Sequence, residues 1–148
     1  MQDVSAPPQP SATNRVVIVG GGFAGVSTAR YLEQAVGADR SISLTLVSDT
    51  NALLFTPMLA EVAGSTLEPT HISSQLRSAL RRTDVIRGHV DRIDLDQRLL
   101  EVTAETGASV RTLAFDHLVL ALGSVSNFLG LTGVPTPRST SNRWPTRW

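Results

Sequence analysis

Arg15-Val-Val-Ile-Val-Gly-Gly-Gly-Phe-Ala-Gly-Val-Ser-Thr-Ala-Arg-Tyr-Leu32 sets an apolar run, a glycine cluster and a helical pattern in immediate succession. Val16 to Val19 suit a short strand buried on both faces. Gly20, Gly22 and Gly25 then spell G-x-G-x-x-G, in which each glycine has its own task. Gly20 allows the tight turn out of the strand. Gly22 has no side chain, so a pyrophosphate can approach the amides at the helix N-terminus, where the dipole is positive. Gly25 lets the helix lie close to the sheet, and Ala29, Leu32 and Val36 continue that inner face.

A glycine-rich turn alone is weak evidence, but the flanks here are those the motif requires. A strand precedes it, a helix follows, and Ile42-Ser-Leu-Thr-Leu-Val47 supplies a second strand. Ser48 and Asp49 come next, and an acid at this strand end can accept hydrogen bonds from a ribose diol. The segment therefore predicts a dinucleotide-binding β-α-β unit.

Composition narrows the function further. A chain of 148 residues is one domain's worth, and 41% hydrophobic with 18% charged residues reads as globular. Thirteen basic residues balance thirteen acidic ones, so no overall field draws in nucleic acid or anionic lipid. With no cysteine there is no disulfide or redox thiol pair, and redox chemistry would have to belong to a bound cofactor. No apolar run has the length of a membrane span. Residues 1–14, with three prolines, read as a disordered tail and not as a signal peptide.

Further along, Gly37 stands where a helix C-cap glycine is expected. Asn51 to Gly64 is apolar and interrupted by Pro57, which suits the first turn of a short helix ending near Gly64. Phe55, Thr56 and Pro57 leave the same strand end as Asp49 and are candidates to border a ligand. Pro69 and Thr70 open an expected helix with Ile72, Leu76, Ala79 and Leu80 on one face, and Arg81 and Arg82 at its negative pole. Those arginines, with Arg77 and Arg87, read as a solvated helix end, since no aromatic residues interleave as a nucleic-acid platform requires. Short strands follow at Val85-Ile86, Val90–Leu95, Arg98–Thr103 and Val110–Phe115, with Gly107 in a turn, as in an antiparallel meander. His117-Leu-Val-Leu-Ala-Leu-Gly-Ser124 reads as another buried parallel strand, bringing Ala121, Gly123 and Ser124 to the edge that carries the glycine loop. His71, His89 and His117 are scattered, and Asp91, Asp94 and Asp96 look like solvated carboxylates, so no metal set or catalytic pair is legible.

Gly-Gly-Gly-Phe-Ala-Gly, Leu-Phe-Thr-Pro-Met-Leu with Glu-Val-Ala-Gly, and Phe-Asp-His-Leu-Val-Leu-Ala-Leu-Gly-Ser with Asn127-Phe128 resemble type II NADH dehydrogenases, from about Arg15 to Gly133. These belong to the two-dinucleotide flavoproteins of the pyridine nucleotide-disulfide oxidoreductase group. The resemblance implies an α/β, Rossmann-like FAD-binding fold with a parallel sheet and an inserted antiparallel β-meander. It implies that this fold takes FAD, with Gly20, Gly22, Phe23, Ala24 and Gly25 at the pyrophosphate, Val90 near the adenine and residues 121–124 bordering the cofactor. NADH would be the co-substrate and a quinone the acceptor in full-length relatives.

Two departures stand out. The family's ribose-binding acid corresponds to Ser48, whereas here the acid is Asp49, one residue later and by alternation on the other face. The family's Ala-Thr-Gly is Ala121-Leu-Gly123 here, one hydroxyl fewer. The chain also ends before the family's second glycine loop and membrane-docking region. Residues 134–148 change composition abruptly, with both tryptophans, three arginines and no acid. They read as an atypical tail on a truncated, out-of-frame product, with a natural disordered tail as the alternative. The expectation is the N-terminal FAD-binding portion of an NADH:quinone oxidoreductase, cytoplasmic and not active alone. A non-catalytic dinucleotide-binding module and a single-Rossmann NAD-dependent enzyme are the alternatives, and the oligomeric state is left open.

Overall fold

The computed structural model describes residues 14–104 and 110–124. Residues 1–13 of the expected N-terminal tail, the turn at Gly107, Asn127-Phe128 and the tail after residue 133 lie outside them, whereas Asn14, expected in that tail, opens the first strand. The first strand is β1 (Asn14–Val19), followed by helix α1 (Phe23–Val36) and strand β2 (Ile42–Ser48). Strand β3 (Ala52–Leu54) leads through a 3-10 turn at Thr56–Met58 into α2 (Leu59–Ala63). A second 3-10 turn at Pro69–Ile72 precedes β4 (Ser73–Gln75) and the single turn α3 (Leu76–Ala79). Strands β5 (Asp84–Asp94), β6 (Leu99–Ala104), β7 (Val110–Ala114) and β8 (His117–Leu120) complete the described chain.

Six strands form one sheet in the order β7-β6-β5-β2-β1-β8. The β5-β2-β1-β8 half is parallel, while β5-β6-β7 is the antiparallel meander. Period-two alternation along β1 feeds two cores. Val17 and Val19 join Val47, Val90, Leu100, Val102 and Phe115 on one face. Ile18 joins Leu46, Val26 and Ala29 of α1, and Leu76 and Leu80 on the other. The strand is buried on both faces, as its apolar run predicts. Gly37 ends α1 at φ +55°, its N–H donating to the Glu33 carbonyl, and Gly64 ends α2.

Three expectations are corrected. The helix expected from Pro69 to Arg82 is broken. Ile72, Leu76 and Leu80 are all buried, as the four-residue spacing demands, but Ser73–Gln75 is extended and pairs antiparallel with β3. The expected strands at Val85-Ile86 and Val90–Leu95 are one strand, β5, bulged between Val90 and Arg92. Gly88 makes no turn there; it is buried where a Cβ would lie 2.7 Å from the Thr103 carbonyl oxygen. The run from His117 is parallel as expected but, among the described strands, lies at the sheet's edge, with Leu120 50% exposed.

Candidate functional site

The carboxyl ends of β1 and β2 and the N-terminus of α1 meet at the glycine loop. Gly20 has φ +113°, and a Cβ there would overlap the Ala121 carbonyl. A Cβ on Gly25 would overlap the Gly20 carbonyl, so the helix can approach the turn only without one. Gly21 is equally constrained, since its Cβ would overlap Ser48 Oγ and sit 2.8 Å from Leu76 Cδ1. Gly22 is the exception. It is the exposed N-cap of α1, and a Cβ there would meet nothing within 4 Å. No side chain caps this end and no acid occupies the first turn. The orphan N–H groups of the first turn therefore lie beside open space.

That space is a cavity of about 340 Å³. Of the residues expected at the site, Gly20, Gly22, Phe23, Ser48, Asp49, Thr56, Val90, Ala121 and Gly123 line it. Ala24, Gly25, Pro57 and Ser124 are not among its lining residues. Gly25 is buried beneath the turn, whereas Ala24, Pro57 and Ser124 are exposed. Leu122 lines it too, within the 121–124 strand end expected to border the cofactor, and Gly21, Thr50, Leu53, Leu54 and Gly88 line it without having been site candidates. Gly21 was legible as part of the glycine run. Leu53 and Leu54 became wall residues only through the β3–β4 pairing. Phe23 and Phe55 meet edge to face at 5.7 Å and are each about half exposed.

Ser48 and Asp49 sit at one end of the cavity but differ in their commitments. Ser48 is 6% exposed, and its Oγ accepts the Thr50 N–H at 3.3 Å. Asp49 is half-buried, and its Oδ1 lies 3.3 Å from Nδ1 of His89 on β5. His89 was read from sequence as one of three scattered histidines. It becomes visible only through the parallel register that places Ser48 opposite Arg87.

Residues 14–144 match the sequence model of the pyridine nucleotide-disulphide oxidoreductase family. The chain belongs to this family. Its matched relatives include the type II NADH:quinone oxidoreductase NdhA of Mycobacterium tuberculosis, 34% identical over 128 residues covering 82% of this chain and 26% of the relative. The type II NADH:quinone oxidoreductase of Haemophilus influenzae is 30% identical over 127 residues, covering 80% of this chain and 29% of its own. The fold superposes on that of NDH2 from Plasmodium falciparum solved with NADH, with a TM-score of 0.70 and 20% identity over 82% of this chain and 25% of the other. This pyridine nucleotide-disulphide oxidoreductase chain thus spans about a quarter of the length of the relatives it matches. Their names agree with the type II NADH dehydrogenase resemblance carried by its own motifs. Family membership implies a flavin or nucleotide cofactor, in keeping with the glycine loop. Among the described residues, no helix is long and apolar enough to cross a membrane.

Proposed function

We propose that the chain is the N-terminal FAD-binding portion of a type II NADH:quinone oxidoreductase-like protein. The observation that carries this reading is the open position at Gly22, over the uncapped N-terminus of α1, with Asp49 in the same cavity. The residues fit an adenosine diphosphate moiety. First-turn amides suit the pyrophosphate, the strand-end carboxylate suits the ribose, and the apolar wall of Val90, Leu53 and Leu54 suits a base. When bound, the flavin supplies the redox chemistry, and the protein's part is to hold and orient it.

NADH as co-substrate, a quinone as acceptor and a cytoplasmic location belong to the same proposal, the last testable by cell fractionation. The chain spans about a quarter of the length of its matched relatives, and within it the described cavity is read as the FAD-binding part. The purified chain is expected to take up FAD in preference to NAD, measured by quenching of flavin fluorescence and by competition with NAD. Equal or tighter binding of NAD would overturn the assignment.

A further inference from the structure

We infer that His89 positions the ribose-recognising carboxylate of this site, Asp49; this rests on the FAD reading above. The geometry begins at Ser48. Its hydroxyl is committed to the Thr50 N–H, and its Oγ is pressed against Gly21, at a point where a Cβ on Gly21 would overlap it. The serine closes a turn that directs the chain past the end of β2, leaving Asp49 beyond the last ladder pair.

A carboxylate just outside a strand has no sheet to hold it, and fixing its rotamers costs entropy. His89 offsets that cost. Its neighbours Gly88 and Val90 line the cavity, but His89 is not among the lining residues, as alternation along β5 requires. Instead its Nδ1 lies 3.3 Å from Asp49 Oδ1, with both side chains about 70% buried. A carboxylate only accepts, so the shared proton belongs to Nδ1. Among the described residues no hydrogen bond reaches Asp49 Oδ2, which is the oxygen left to accept from a ribose hydroxyl. His89 thus acts through Asp49 and is a positioning residue, not a contact.

The test uses the full 148-residue chain with FAD, ADP and 2′,3′-dideoxy-ADP as probes. Wild type is expected to bind FAD and to prefer ADP over the dideoxy analogue by about tenfold or more, the range of a hydrogen bond to a charged group. His89→Ala is expected to collapse that preference toward unity, and His89→Asn, which keeps an N–H donor near the place of Nδ1, to restore most of it. In an Asp49→Ala background, His89→Ala should have no further effect on the preference. A merely structural histidine would weaken both ADP analogues equally and leave their ratio intact, which would overturn the inference while leaving the FAD reading standing. Failure of wild type to bind FAD or ADP would overturn both.

Discussion

Gly22 and Gly25 are three residues apart in one motif, yet their side-chain positions face opposite constraints. A Cβ at Gly22 enters open cavity, whereas one at Gly25 enters the Gly20 carbonyl. Gly22→Val is therefore expected to abolish FAD uptake while leaving the urea midpoint of the apo chain nearly unchanged. Gly25→Ala is expected to destabilise the fold itself by about 1–3 kcal/mol, as overpacking does, read from the same urea titration. A single motif thus divides into one position facing open cavity and two, Gly20 and Gly25, pressed against backbone carbonyls. This division was legible in the sequence because the sterics act over a few residues of chain. Ser48 and Asp49 were legible as the strand-end pair. Which of them faces outward was not, since it depends on a hydroxyl in a turn and on a histidine forty residues away.

The C-terminal end of α1 is tied down by an element that follows it at long range. The Glu33 carboxylate accepts from the backbone N–H groups of Arg81, Arg82 and Thr83 and from the Thr83 hydroxyl. Arg82 in turn donates to the carbonyls of Gly37 and Asp39. The arginine expected at the negative pole of one helix thus serves the negative pole of another, α1. Burial alone would raise the Glu33 pKa, but the N–H of Arg82, the hydroxyl and N–H of Thr83 and the N–H of Arg81 outweigh it and hold the carboxyl below its ordinary value. A lowered folded pKa means stabilisation that is present above the unfolded value of about 4.3 and lost as pH falls through the folded one. Glu33→Ala is expected to cost about 1–2 kcal/mol at neutral pH. Glu33→Gln should flatten the acid limb of a Tm-against-pH curve. At this scale α1 and the central strands could be read from periodicity. The region from Pro69 to Leu80 could not, because apolar residues at every fourth position reach the core equally well through a turn, three extended residues and one helical turn. Three-residue strands such as β3 and β4 are too short to display alternation.

Across the whole molecule, the sheet joins the first described strand to the last, with Val16 opposite His117 and Val19 opposite Leu120. Arg15 fastens the same seam, donating through its side chain and its backbone N–H to Asp116. Those bonds, the side-chain one foremost, hold the Asp116 pKa at about 2. The contribution of Asp116 is therefore complete above its unfolded pKa of about 3.9 and is lost as pH falls toward 2. Asp116→Asn should show a shallower Tm decline across that window. Beyond the seam, β8 carries a half-exposed Leu120 on the sheet's edge. Leu120→Lys is expected to reduce concentration-dependent association in light scattering without lowering Tm, because edge lysines oppose strand pairing. The seam also bears on how the chain is made. At about 5–20 residues per second, roughly 5–20 s separate the emergence of β1 from the ribosome and that of β8. During that interval the glycine loop exists without Ala121 and Leu122, two residues of the cavity wall. The nascent chain must pass through it with β1 exposed along one edge, so a cofactor bound as proposed would meet a finished cradle only after residue 124 has left the exit tunnel, and would lock the fold after synthesis instead of seeding it.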